Sequence, residues 1–274
     1  MKLQCADRVL DLSRPAVMGV LNVTPNSFSD GGRYSDLAAA LSRAREMVAA
    51  GASIIDIGGE STRPGAEPVP LQQELDRVLP AIEALRRDCD VLLSIDTMKP
   101  EVMRAAIGAG AGMVNDVLAL QGPGAMEAVA ASNAAVCLMH IQGTPQTMQR
   151  DPHYGDVVRE VGDFLLQRAA ACRAAGIGAG RIALDPGFGF GKTLEHNLQL
   201  LRGLRQLPRE YPLLVGLSRK SMLAKLLGRP VEQRLAGSLA LATLAVANGA
   251  RIVRCHDVAE TLDAVKVAAA FAQA

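Results

Sequence analysis

The sequence predicts an α/β fold, a single (β/α)8 (TIM) barrel spanning residues 1–274 with long first and second βα loops. Three observations predict it. Eight short apolar runs without polar alternation recur along the chain, as parallel strands buried on both faces require. Helical periodicity fills the intervals between them. Glycine stands where helices must stop before the next strand. A length of 274 residues nominally suits two domains, but one barrel of about 250 residues fits equally well. No linker or composition break divides the chain. A doubly wound sheet, the competing architecture, needs about five or six strands and a glycine-rich first βα turn.

In chain order the predicted strands are residues 17–21, 54–57, 91–95, 113–114, 135–138, 182–184, 213–215 and 252–253. Leu37, Leu41, Ala44, Met47 and Val48 share one helical face after the first run. Leu71, Leu75, Val78, Ile82 and Leu85 share another after the second, with Pro80 predicting a kink or break. Phe164, Leu165, Arg168 and Cys172 precede the sixth run at the same spacing, and Val258, Leu262, Val265 and Ala269 follow the eighth. Gly51, Gly110, Gly176 and Gly249 each end a helical segment, where glycine suits a left-handed stop. The alanine-rich stretch 239–247 is too short to span a bilayer and reads as a packed helix.

Composition excludes several function classes. Lys and Arg number 29 against 28 Asp and Glu, a formal net charge of +1, so neither a global basic field nor an acidic tail is present. Hydrophobic residues at 49% allow a sizeable core. Aromatics are 3% and Trp is absent, so platforms that stack single-stranded nucleic acid are not expected, and no nucleic-acid partner is. Cys5, Cys89, Cys137, Cys172 and Cys255 are odd in number and dispersed, without C-x-x-C; reduced thiols in a cytoplasmic protein are the expectation. No apolar leader opens the chain and no apolar run of 18 residues occurs, so neither a signal peptide nor a membrane span is expected.

The polar residues cluster where a barrel enzyme needs them, at the C-terminal strand ends. Asn22 follows the first run, Glu60-Ser61-Thr62-Arg63 the second, Asp96-Thr97 the third and Asn115-Asp116 the fourth. His140 follows the fifth, Asp185 the sixth, Ser218-Arg219-Lys220-Ser221 the seventh, and Arg254 with His256-Asp257 the eighth. A merely solvated rim would favour Lys and Glu over this selection. Asp96, Asn115 and Asp185 have no basic neighbours in sequence, and buried carboxylates need donors. A planar heterocycle with a guanidine-like edge supplies two N–H groups to such a carboxylate. Arg63, Arg219, Lys220, Arg254 and His256 form an opposite, anion-binding wall suited to a pyrophosphate. Taken singly, each cation is as well explained by a structural ion pair; five at one mouth are not. The loops at residues 23–32 and 58–66 have the length of lids, and Phe28 within the polar first loop suits exclusion of water.

Other chemistries are disfavoured. The stretch from Asp185 to Thr193 looks like a nucleotide phosphate loop, but that pattern needs glycine where Pro186 stands. Its glycines instead let backbone approach a flat ligand, with Phe188 or Phe190 as a wall. His140, His153, His196 and His256 lack zinc-ligand spacing. Magnesium held mainly by a pyrophosphate and one or two protein oxygens remains compatible.

Nine segments together resemble one family. They are Leu21-Asn22-Val23-Thr24-Pro25 with Ser27-Phe28-Ser29-Asp30-Gly31-Gly32, Asp56-Ile57-Gly58-Gly59-Glu60-Ser61-Thr62-Arg63-Pro64-Gly65, Ser94-Ile95-Asp96-Thr97, Asn115-Asp116-Val117 and Leu138-Met139-His140. Asp185-Pro186-Gly187-Phe188-Gly189-Phe190-Gly191-Lys192, Ser218-Arg219-Lys220-Ser221 and Arg254-Cys255-His256-Asp257-Val258 complete the set. The chain resembles the bacterial dihydropteroate synthases, folate-pathway enzymes that sulfonamides inhibit. The resemblance implies condensation of 6-hydroxymethyl-7,8-dihydropterin pyrophosphate with p-aminobenzoate, a requirement for Mg²⁺, and a homodimer formed through C-terminal helices.

It also implies roles. Asp96, Asn115, Asp185 and Lys220 would hold the pterin. Asn22, Arg63, Arg254 and His256 would hold the pyrophosphate, Asn22 beside the metal. Thr62, Pro64, Phe188, Lys220 and Ser221 would border the p-aminobenzoate, and Phe28 and Asp30 would belong to a mobile lid. Asn22, Arg63, Asp96, Asp185, Lys220 and Arg254 are the implied catalytic set. One position departs from the family, Asn26 standing where its first loop usually carries Asp. Two rivals share the barrel: a methyltetrahydrofolate-binding barrel of a methyltransferase, and a non-catalytic pterin-binding paralogue. The first has no need of the Ser-Arg-Lys-Ser and Arg-x-His anion set; the second has no need to keep Asp96, Asp185, Lys220 and Arg254 together.

Overall fold

The computed structural model describes residues 1–23, 32–62 and 65–273. Eight parallel strands form the barrel: β3 (Ala16–Asn22), β4 (Ile54–Gly58), β5 (Leu92–Asp96), β6 (Met113–Asp116), β7 (Ala135–Met139), β8 (Ile182–Asp185), β9 (Leu214–Gly216) and β10 (Ile252–Cys255). They pair in the order β8-β7-β6-β5-β4-β3-β10-β9, and a parallel bridge between Leu184 and Leu213 joins the two outer strands and closes the ring. Each predicted strand overlaps an observed one, the ends differing by one or two residues.

Among the described residues the helices are α1 (Gly32–Ala49), α2 (Leu71–Asp88), α3 (Pro100–Ala109), α4 (Ala125–Ala130), α5 (Val157–Ala174), α6 (Leu194–Arg202), α7 (Ser221–Leu227), α8 (Leu235–Ala247) and α9 (Val258–Gln273). The crossover from β9 to β10 carries two of them, α7 and α8. Their buried faces pack with the outward strand residues into one apolar shell around the barrel. The four helix-stop glycines all adopt the left-handed region, with φ +96°, +114°, +92° and +104° at Gly51, Gly110, Gly176 and Gly249. Helix α2 runs unbroken through Pro80, against the sequence expectation. Pro80 lies on the exposed face, where water can serve the carbonyl its missing N–H leaves. No helix among the described residues is long and apolar enough to cross a membrane.

The chain begins with a feature the sequence reading did not foresee. Strands β1 (Lys2–Cys5) and β2 (Arg8–Asp11) form an antiparallel hairpin. Leu3, Cys5 and Leu12 are fully buried in one cluster with the lower inward residues Met18, Ile54, Leu92 and Ile252. Burying a leucine of this kind contributes about 2 kcal/mol. The hairpin therefore plugs the N-terminal end of the barrel, and the polar end stays at the opposite mouth.

Candidate active site

Inward-facing positions recur every second residue along each strand, and they change from apolar to polar toward the C-terminal end. Ile54 is followed inward by Asp56, Leu92 by Ser94 and Asp96, Met113 by Asn115, Ala183 by Asp185 and Ile252 by Arg254. Strand register sets Asn22, Gly58, Asp96 and Asn115 side by side across four strands, with Asp56 beside Ser94 one layer below.

Arg254 is the centre of this layer. Its Nε donates to Asp56 Oδ2 at 2.6 Å and its Nη2 to Asp96 Oδ2 at 2.7 Å. Asn115 Nδ2 also donates to Asp56 Oδ2, at 3.1 Å. The second oxygens of both carboxylates, Asp56 Oδ1 and Asp96 Oδ1, and the Ser94 hydroxyl are buried without a hydrogen-bond partner. Such orphaned acceptors are costly unless something else donates to them. Burial pushes the Asp96 carboxyl up to about 7; Arg254 opposes the rise, and Asp56, Asp116 and Glu74 add to it.

The sequence reading set carboxylates and cations on opposite walls. The structure corrects this: Arg254 sits between two carboxylates. Arg219 is bound by Asp257 through both ends of its guanidinium, Nε at 3.0 Å and Nη2 in a short contact, so it acts as a structural pair. Its backbone holds a left-handed φ of +59°, with its N–H on Ser238 Oγ at 3.0 Å and its carbonyl taking Arg234 Nη1 at 3.0 Å. That strained turn presents Lys220 and starts α7 at Ser221.

Across the mouth, Asp185 Oδ1 accepts from Gly187 N at 2.7 Å, and burial raises its carboxyl against the pull of Lys220. Lys220 Nζ donates to the Phe188 carbonyl in a short contact and lies 4.7 Å from the Phe190 ring centroid. Burial lowers the Lys220 ammonium to about 8, Asp185 opposing. The Phe188 ring is fully buried in the outer shell, so the aromatic surface beside Lys220 is that of Phe190. Glycine opens the mouth at two strand ends. A Cβ on Gly58 would stand 3.6 Å from Asn22 Oδ1 and 3.9 Å from Asp96 Oδ2; one on Gly216 would stand 3.7 Å from Lys220 Nζ.

His256 Nδ1 lies 3.0 Å from Ser218 Oγ on the same rim. Thr62 is half-buried on the second loop. That loop is anchored from behind: Lys99 Nζ reaches Glu60 in a short contact and Glu74 Oε2 at 2.5 Å, Thr97 Oγ1 donates to Glu74 Oε1 at 2.6 Å, and Arg77 holds the Gly59 carbonyl at 2.8 Å. Asp116 turns away from the mouth to take the N–H groups of Leu118 and Leu120 at 2.9 and 2.8 Å. His140 is buried against Lys192 and away from the rim. Phe28, Asp30, Asn26, Arg63 and Pro64 lie outside the described residues.

Asp56 and Ser94 are the site residues that sequence reasoning missed. They lie inside strands, two residues before the C-terminal ends at Gly58 and Asp96. The signal was available: a charged or hydroxyl side chain at an inward position of an otherwise apolar strand. For a metal, the donor set is sparse. Among the described residues no group of three or more His, Cys, Asp or Glu converges. The Asn22 amide oxygen, over the gap left by Gly58, is one hard oxygen donor, which fits Mg²⁺ carried chiefly by a phosphate ligand.

The class follows from this arrangement together with comparison: residues 18–256 match the family described as pterin binding enzyme. The chain is 51% identical to the dihydropteroate synthase of Escherichia coli (strain K12), over 97% of this chain and 95% of that one. Among solved structures, the Yersinia pestis dihydropteroate synthase in a sulfonamide drug complex superposes with a TM-score of 0.95, at 52% identity over 100% of both chains. The Burkholderia cenocepacia dihydropteroate synthase complexed with 7,8-dihydropteroate gives 0.90, at 51% identity over 98% of this chain and 96% of that one. The chain belongs to the dihydropteroate synthase family.

Proposed function

We propose that this site joins 6-hydroxymethyl-7,8-dihydropterin pyrophosphate to p-aminobenzoate, giving 7,8-dihydropteroate and pyrophosphate. The observation that carries the reading is the set of orphaned buried acceptors, Asp56 Oδ1 and Asp96 Oδ1, beside Arg254. They match the guanidine-like N–H edge of a pterin. Asn115, Asp185 and Lys220 complete the pterin pocket from neighbouring strands.

The bond that breaks is the one between the pterin methylene carbon and the bridging pyrophosphate oxygen, and its electron pair leaves with the oxygen. The arylamine nitrogen then gives its lone pair to the methylene carbon and loses one proton to water or the released pyrophosphate. Buried carboxylates at Asp96 and Asp185 favour positive charge on that carbon, which supports an SN1-like course. Asn22, Arg63, Arg254 and His256 receive the leaving anion. Asn22 would hold Mg²⁺ together with the pyrophosphate, and the ion would supply charge neutralisation of the leaving group when bound. Thr62, Pro64, Lys220 and Ser221 border the p-aminobenzoate, with Phe190 beside Lys220 in place of the Phe188 ring, which is buried in the outer shell. Phe28 and Asp30, outside the described residues, would belong to the lid that the first loop is expected to supply.

Two further readings accompany this one. Leu244 of α8 and Val267 and Phe271 of α9 are large apolar side chains left exposed, at 50%, 68% and 76%. They support a homodimer through the C-terminal helices. Five cysteines without a disulfide among them support a reducing, cytoplasmic setting. A crystal structure with the dihydropterin bound tests the pocket. The guanidine-like edge is expected on Asp56 and Asp96, with Asp185 on the opposite side of the ring; a pterin seated elsewhere overturns the assignment.

A further inference from the structure

The loop after β8 is held in an unusual way. Each of its five consecutive carbonyls accepts from a side chain. Gly187 O and Phe190 O take Lys192 Nζ, both at 3.0 Å; Phe188 O takes Lys220 Nζ; Gly189 O takes Gln149 Nε2 at 2.6 Å; Gly191 O takes Tyr154 Oη at 2.8 Å. Lys192 supplies two of the five. Its third partner is His140 Nδ1 at 2.9 Å, and the His140 ring is boxed edge-on by Phe164. Lys192 is 3% exposed. An ammonium has three N–H donors and no acceptor. Here it meets three acceptors, a satisfied arrangement that needs His140 neutral, with its proton on Nε2.

The same loop reaches the reacting side. Gly187, whose carbonyl accepts from Lys192, donates its own N–H to Asp185 Oδ1 at 2.7 Å. His140 N in turn donates to the Asp185 carbonyl at 2.9 Å. Gly187 has φ +66°, and a Cβ there would lie 1.9 Å from His140 O, so the loop rests directly on the His140 backbone.

We propose that Lys192, seated on His140, is a positioning residue: its three N–H groups hold the Gly187–Phe190 turn so that Asp185 faces the pterin and the Phe188 carbonyl meets Lys220. This rests on the function proposed above. It assigns work to a lysine that looks, in sequence, like the cation of a nucleotide loop but is turned into the protein.

Lys192→Met keeps the length of the side chain and removes all three donors. Calorimetry on the purified protein is expected to show dihydropterin affinity falling roughly 10- to 100-fold, as misplacing a binding group by about 1 Å does. Pyrophosphate affinity, which depends on the far rim, is expected to stay unchanged. Equal loss of both affinities, or loss of neither, overturns the proposal. Should Lys192→Met fail to fold, His140→Leu and His140→Asn decide. Leu removes the acceptor and should show the same selective loss, whereas Asn retains one near the Nδ1 position and should recover most of it; equal behaviour of the two overturns it. Nitrogen NMR on the wild type is expected to find His140 protonated at Nε2, and a proton on Nδ1 contradicts the arrangement. If the wild type binds pterin yet makes no product, the reaction assignment fails while these affinities still judge Lys192.

Discussion

Arg254 and Asp96, 158 residues apart in sequence, meet at 2.7 Å between Nη2 and Oδ2 in the mouth of the barrel. The same guanidinium holds Asp56 at 2.6 Å through Nε. Three strands are thus tied by one forked cation. Its removal leaves two buried carboxylates facing each other without compensation.

Arg254→Met is therefore expected to destabilise the protein by about 3 kcal/mol or more, read by denaturant unfolding. Adding Asp96→Asn removes one of the stranded charges and should recover part of the loss. A single-variant loss under about 1 kcal/mol would mean that solvent replaces the guanidinium freely.

Asp185 carries the opposite side of the pocket. Asp185→Asn keeps the volume but turns an acceptor into a donor toward the ligand. Pterin binding should weaken by about 2–3 kcal/mol in calorimetry. Unchanged affinity would remove Asp185 from the pterin contact.

The pH profile follows from two shifted groups. Asp96 gains its proton as pH falls through about 7, and Lys220 loses its proton as pH rises through about 8. The reaction needs Asp96 charged to accept and Lys220 charged to donate. The profile of kcat/KM should therefore rise through about 7 and fall through about 8, since it reports the free enzyme. Lys220→Arg should shift the falling limb to higher pH; a limb that does not move belongs to another group.

Two glycines separate folding from function. Gly187→Ala meets the His140 carbonyl at 1.9 Å from a positive φ and should cost several kcal/mol in unfolding experiments, on the order of 3. A Cβ at Gly58 makes only ordinary van der Waals contacts, 3.6 Å from Asn22 Oδ1 and 3.7 Å from Asp96 Cβ. Gly58→Ala should leave stability nearly intact and raise KM for the pyrophosphate substrate. Equal stability losses for the two would contradict the described mouth.

The barrel was legible because its physics is repetitive. Runs such as Ile54–Gly58 are buried on both faces, and nothing but a parallel strand in a covered sheet explains that pattern. Strand ends were legible too, since Asp96, Asn115, Asp185 and Arg254 interrupt apolar runs. Asp56 was not, because it sits within a run and only the pleat reveals that it points inward with Asp96. The hairpin escaped because Leu3 and Cys5 alternate over just four residues. Lys192 ends a family-like segment and a stretch that looks like a phosphate loop, but its sequence gives it no role; its three acceptors come from a distant strand end and from its own loop, a convergence that sequence spacing does not encode.

The central claim is a condensation that liberates pyrophosphate. Purified protein given 6-hydroxymethyl-7,8-dihydropterin pyrophosphate, p-aminobenzoate and Mg²⁺ should form 7,8-dihydropteroate and pyrophosphate in equal amounts, and omission of either the arylamine or the metal should abolish both. Binding of both substrates without any dihydropteroate formed would contradict it.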